Sequence, residues 1–149
     1  MKKPATGSIK FLAFGCPHAP MHDVAAIEWL GEQIEEYNHD QIICLGDFHE
    51  ADSATRWPSE NDRGLEHEYK AANTILKDLR LRAKGTPECV FLPGNHDDNI
   101  LGLGRIDPKL RGLCDWRVRQ YNAEHEWLNE ELLTEWTIPT RYEYSSRGV

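Results

Sequence analysis

"QIICLGDFHE", running from Gln41 to Glu50, divides into two halves with different jobs. The first half is a continuous apolar run containing Ile42 and Ile43. A run without polar alternation reads as a strand covered on both faces. The second half stops that run at Gly46 and then presents Asp47, His49 and Glu50. Glycine allows a tight turn there and lets another backbone approach closely.

The same arrangement occurs twice more. "IKFLAF" (Ile9 to Phe14) is followed by "GCPH" (Gly15 to His18), and "CVFL" (Cys89 to Leu92) leads through Pro93 into "GNHDD" (Gly94 to Asp98). Between the first two runs, "HDVAAIEWLGEQIEEYN" repeats Val24, Ile27, Leu30 (or Trp29) and Ile34 at helical spacing, with Asp23 placed as N-cap. Between the second and third, Leu65, Tyr69, Ala72, Ile75, Leu76 and Leu79 share one helix face, and Gly85 supplies a stop. The fold class is therefore α/β: a βαβαβ core with a parallel sheet and right-handed crossovers.

After the third strand the pattern changes. "LGLGRIDPKLRGLCDW" reads as a loop and then a short helix beginning near Pro108. "NAEHEWLNEELLTEW" reads as a helix with Trp127, Leu128, Leu132 and Trp136 as its apolar face, more core than stacking platform. "TRYEYSSRGV" reads as a strand and turn begun and then cut off. An unpaired edge there would be exposed. We therefore expect residues 1–149 to form a single domain truncated on its C-terminal side.

Composition excludes several classes. With 17 basic and 25 acidic residues and a formal net charge of -8, the chain opposes non-specific binding to nucleic acid or an anionic membrane. Nucleic acid stays open as a partner but is not indicated by charge, because no basic stripe is present. No apolar run approaches the ~20 residues that span a bilayer. "MKKPATGS" lacks the apolar segment of a secretory signal. The four cysteines show no CxxC spacing and read as reduced thiols, which places the protein in the cytoplasm. Cys44 and Cys89, inside apolar runs, read as buried and inert.

In an open parallel sheet, ligands bind where the carboxyl ends of the strands converge. Each polar block taken singly is an ordinary turn, since Asp and Asn bond their own backbone there. Three of them at the same end of three consecutive strands form a candidate site.

These blocks resemble the calcineurin-like metallophosphoesterases. "GDFHE" fits their Gly-Asp-x-x-(Asp/Glu) motif and "GNHD" their Gly-Asn-His-(Asp/Glu) motif, in the right order and each after a strand. Cys16-Pro17-His18 matches their Asp-x-His motif in part. The resemblance implies the parallel half of an α/β/β/α sandwich. It also implies a metal-dependent phosphoesterase that hydrolyses phosphomonoesters or phosphodiesters through a dinuclear centre of divalent transition metals (Mn, Fe, Zn or Ni). Two cations held close together can activate water and neutralise phosphoryl oxygens during in-line attack.

By the same resemblance, Asp47 bridges the metals, His18 ligates the first, and Asn95 offers its carbonyl oxygen to the second. His96 is the acid that serves the leaving oxygen, and Asp97 orients its imidazole. Glu50 takes a supporting role, and His49 is expected in exposed loop. Arg56, beside Trp57, is a candidate for binding substrate phosphate; a surface arginine stacked on Trp57 is the other reading.

Two departures from the family stand out. Cys16 occupies the place of an aspartate, and a thiolate there would favour Zn or Fe; the other reading is a protonated spectator. The C-terminal histidine motifs are absent, since His125 is the only histidine after His96 and sits between two glutamates. The alternative to an enzyme is therefore a metal-poor binding or scaffold module of the same fold.

Overall fold

A computed structural model describes residues 9–55, 64–114 and 136–138. Strands β1 (Phe11–Phe14), β2 (Gln41–Cys44) and β3 (Glu88–Phe91) form a parallel sheet in the order β1-β2-β3. The register aligns Phe11, Gln41 and Glu88 at one end and Phe14, Cys44 and Phe91 at the other. All three chains therefore leave the sheet at the same level, which is what brings their loops together.

Helices α1 (Val24–Glu36) and α2 (Leu65–Arg82) make the crossovers. Asp23 caps α1 by accepting from the Ala25 and Ala26 N–H groups. The strand order always advances in one direction, so two right-handed crossovers put both helices on the same face. They touch there, and the Arg82 guanidinium grips both oxygens of Glu28 at 2.8 Å. The expectation of strands covered on both faces holds for β3, where Cys89, Val90 and Phe91 are all buried, and fails for β1, which alternates and leaves Phe11 62 % exposed.

The side chains facing the helices form the core: Leu30 and Ile34 of α1, Ile42 and Cys44 of β2, Leu76 and Leu79 of α2, and Phe91. Leu30, not Trp29, is the inward residue of α1, while Val24 is exposed. Burial pushes the Cys44 thiol well above its usual pKa, which fits an inert packing role.

Residues 101–107, read as loop, are mostly helix instead. Helix α3 runs from Asn95 to Ile106, followed by a 3₁₀ turn at Pro108–Leu110 and a short α4 (Arg111–Cys114) at the place expected from Pro108. The two glycines that argue for a loop are tolerated for different reasons. Gly104 is buried where a Cβ would stand 3.2 Å from Cys114 Cβ, so it lets α4 approach α3 closely. Gly102 faces open space.

Trp136 is buried against Phe14, with ring centroids 6.5 Å apart. Thr137 extends the sheet by pairing with β3 through Cys89 O and Phe91 N. Trp127, Leu128, Leu132 and residues 140–149 lie outside the described residues.

Candidate metal centre

Beyond their last sheet residues, the first two loops continue side by side. Cys16 N–H donates to Gly46 O at 3.0 Å, His18 N–H to Asp47 O at 3.1 Å, and Ala19 N–H to Phe48 O at 2.7 Å. Glu50 N–H returns the bond to Ala19 O at 2.9 Å. This ladder holds Cys16, His18 and Asp47 at φ of 55°, 53° and 51°, in the left-handed region that side chains rarely adopt. Each such residue costs on the order of 1 kcal/mol, and strain of this kind persists only where surrounding bonds impose it.

The third loop meets the second through two glycines. A Cβ on Gly46 would lie 2.7 Å from Gly94 Cα, and a Cβ on Gly94 would collide with the Asp47 backbone and carboxylate. The contact brings Asp47 to the N-terminus of α3, where its Oδ1 accepts the His96 N–H at 2.8 Å. Gly94 has no side chain with which to cap that helix, so Asp47 supplies the acceptor from another loop.

His18 Nδ1 lies 2.8 Å from Glu50 Oε2. That pairing of imidazole with carboxylate leaves the other ring nitrogen for a ligand, the arrangement commonly found behind metal-binding histidines. His96 Nδ1 is 2.7 Å from the Glu50 carbonyl oxygen. A carbonyl only accepts, so Nδ1 carries the proton and Nε2 is the remaining reactive position. The two rings stand edge to face, with centroids 4.6 Å apart. Glu50 therefore orients both histidines, one through its side chain and one through its backbone.

Two groups of ligand atoms result. One atom each of Cys16, His18 and Asp47 lie within 4.8 Å of one another, and so do one each of His18, Glu50 and His96. Asn95 opens α3 beside them, and with His96 it lines a cavity of about 500 Å³. Arg56 lies outside the described residues.

Asp97 does not orient His96. It is fully buried and turns the other way. Its Oδ1 accepts from His49 Nδ1 at 2.8 Å and from the His49 N–H at 3.2 Å. Its Oδ2 accepts from the Gly94 N–H at 2.9 Å and the Phe48 N–H at 3.4 Å. Burial alone would raise the Asp97 pKa, but the His49 ring and these backbone donors outweigh it and hold the carboxyl below its usual range. His49 is likewise not exposed loop: it is 1 % exposed and sits edge-on to Tyr69 and Phe91. The pair clamps the second loop to the third. Its sequence signal was the second Asp-His combination of the two motifs, which periodicity cannot assign to partners.

Glu68 of α2 carried no signal, being one acid among several on that helix. It is fully buried, with Oε1 accepting the Ser53 N–H at 3.2 Å and Oε2 unbonded among the described residues. Burial raises its pKa, so the folded chain favours the protonated acid. Such a group contributes stability at low pH and loses it as pH rises from about 4.3, the unfolded value, through the higher folded value. Glu68→Gln is expected to be more stable than the parent at pH 7, by about 1 kcal/mol, with the gap closing towards pH 4. Urea denaturation at both pH values checks this; a variant less stable at pH 7 would refute it.

A family model for the calcineurin-like phosphoesterases matches residues 9–146, nearly the whole chain. The chain belongs to this family. A search of curated proteins and a search of solved structures each returned no significant match. Family members generally act as hydrolases that bind divalent metals. Among the described residues, the two groups of ligand atoms given above are placed where an ion could be held.

Proposed function

We propose that this chain hydrolyses phosphate esters, mono- or diesters, with the help of divalent transition metals held at the ends of its three strands. The observation that carries this reading is the convergence of Cys16, His18 and Asp47 ligand atoms within 4.8 Å beside the His96 turn.

The donor set fits a metal. One sulfur, one imidazole nitrogen and one carboxylate oxygen suit Zn, Fe, Co or Ni better than Mg or Ca, and leave coordination positions open for water and substrate. Cys16, His18 and Asp47 would hold the first ion; Asp47 and Asn95 would hold a second. When bound, the metal supplies Lewis-acid polarisation of the phosphoryl group and lowers the pKa of water.

The chain's own residues do the rest. Glu50 fixes the His18 tautomer, so the imidazole meets a cation with its lone pair rather than its proton. Asp47 is held in place by the His96 N–H at the α3 terminus. His96, anchored at Nδ1 by the Glu50 carbonyl, carries its mobile proton at Nε2 and delivers it to the departing oxygen. His49 and Asp97 keep the loop bearing Asn95 and His96 at a fixed distance from Asp47, because placement errors of about an ångström are costly in catalysis.

Cobalt is the direct probe. The Co(II)-loaded chain is expected to show a near-ultraviolet sulfur-to-cobalt charge-transfer band that disappears in Cys16→Ser. Hydrolysis of bis(4-nitrophenyl) phosphate should fall about a hundredfold or more in Asp47→Ala and in His96→Ala. A chain that takes up no divalent ion and stays inert with each of them would overturn the reading in favour of a metal-poor binding module. A band that survives Cys16→Ser would remove Cys16 from the ligand set.

A further inference from the structure

His18 belongs to two ligand groups at once. Its partners are Cys16 and Asp47 in one and Glu50 and His96 in the other, and in each group the donor atoms lie within 4.8 Å of one another. The phosphoesterase reading seats its first ion in the Cys16 group. It gives Glu50 and His96 other work: the carboxylate holds the His18 ring, and His96 serves the leaving oxygen. Two imidazoles and a carboxylate are nonetheless a three-ligand set that suits a transition-metal ion and leaves positions for water.

The spacing suits an ion as well. With metal–ligand bonds of about 2.1 Å, donors at right angles stand about 3 Å apart and tetrahedral ones about 3.4 Å. His18 Nδ1 and Glu50 Oε2 are already 2.8 Å apart. The His96 ring stands edge to face with that of His18, at 4.6 Å between centroids. Its Nδ1 is committed to the Glu50 carbonyl oxygen at 2.7 Å, so the neutral ring has its lone pair at Nε2. All three side chains are only partly buried, which gives an ion and its water access.

The two groups exclude each other. A neutral imidazole has one lone pair, so His18 serves one ion at a time. An ion on Glu50 also takes away the acceptor that fixes the His18 tautomer for the Cys16 group. Donor softness distinguishes the groups: the first contains a thiolate and selects soft ions, whereas the second offers only nitrogen and oxygen, with two imidazoles that suit nickel.

We propose that His18, Glu50 and His96 form a second cation site, alternative to the one at Cys16, His18 and Asp47, and that an ion bound there switches the chain off by occupying the His96 nitrogen needed as acid. The proposal rests on the phosphoesterase reading and adds its regulation by the kind of ion supplied. Thiophilic ions leave His96 free; nitrogen-seeking ions take it.

Cadmium and nickel on the full chain test it. One equivalent of Cd(II) is expected to give an ultraviolet sulfur-to-cadmium band that is lost in Cys16→Ser. Ni(II) should bleach that band in the parent by drawing His18 into the second site. In His96→Ala the Cd(II) band should form as in the parent, while the Ni(II) needed to bleach it rises about a hundredfold or more, beyond the usual cost of losing a mere supporting partner. Cys16→Ser should bind Ni(II) with the parent's affinity in calorimetric titration. The intact Cd(II) band also shows that His96→Ala is folded at the site; His96→Gln replaces it where the band is lost, and loss in both variants would overturn the proposal because the sites would not be separable. Nickel that bleaches His96→Ala as readily as the parent, that bleaches neither, or that fails to bind Cys16→Ser would overturn the second site and leave the phosphoesterase reading standing. A parent without the cadmium band, or a band that survives Cys16→Ser, would remove the Cys16 site, and with it the observation that carries both readings.

Discussion

Gly94→Ala is expected to lose about 3 kcal/mol of stability and to release the metal, although alanine is at ease with the dihedral angles of this position. Gly94 has φ -89° and ψ -169°, ordinary extended backbone. What it lacks is room, because an added Cβ would overlap the Asp47 amide nitrogen and carboxylate. Neither is the end of a flexible side chain. Asp47 is pinned through its carbonyl to the His18 N–H and through Oδ1 to the His96 N–H. Relief requires the second and third loops to part, which breaks the cap of α3 and moves the carboxylate away from Cys16 and His18. Gly102→Ala is the matched control. Its Cβ enters open space in mid-helix, where Ala is favoured over Gly by up to about 1 kcal/mol. Denaturation curves of the two variants should move in opposite directions, and Co(II) titration should weaken in Gly94→Ala alone. A Gly94→Ala chain within about 1 kcal/mol of the parent that still binds cobalt would refute the steric account.

The contrast between the two glycines also shows where sequence reading succeeds. Apolar runs and helical spacing located β1, β2, β3, α1 and α2 to within about two residues, because core burial imposes those periods. The Gly-Asp and Gly-Asn-His-Asp blocks marked the right end of the sheet, since a parallel sheet brings its carboxyl ends together whatever the helices between them contain. Helix α3 was hidden because Gly102 and Gly104 mimic a loop, and whether a glycine breaks a helix or serves its packing depends on what stands opposite. For Gly104 that is Cys114, ten residues further on.

The partners of the site residues were hidden for a related reason. Asp97 adjoins His96 in sequence, yet adjacent helical residues point about 100° apart, so a carboxylate bonded to one loop cannot also serve its neighbour's ring. His49 looked like surface because histidine between Phe48 and Glu50 gives no period. The rings of Tyr69 and Phe91, from α2 and β3, close over it.

That buried pair makes Asp97 the second position of large effect. Asp97→Ala is expected to cost about 3 kcal/mol or more, because each buried donor that loses its carboxylate acceptor costs about 1–3 kcal/mol. The loss exceeds that of a single bond because four donors lose this acceptor together: the His49 ring, and the N–H groups of Phe48, His49 and Gly94. Against a typical total of 5–15 kcal/mol, such a loss leaves the chain near its unfolding threshold at 37 °C. Asp97→Asn separates shape from charge. It keeps the volume, but its amide nitrogen would confront backbone donors where an oxygen now accepts. The folded-state pKa of Asp97 is depressed, so its contribution is fully present above about pH 4, the unfolded value, and is lost as pH falls through the lower folded value. The stability gap between parent and Asp97→Asn should therefore be widest near neutrality and shrink below about pH 4. A gap independent of pH would mean that the carboxylate's charge contributes nothing and only its packing matters. The metal-free chain is the right material for both curves, because metal affinity is itself pH-dependent and would add its own slope.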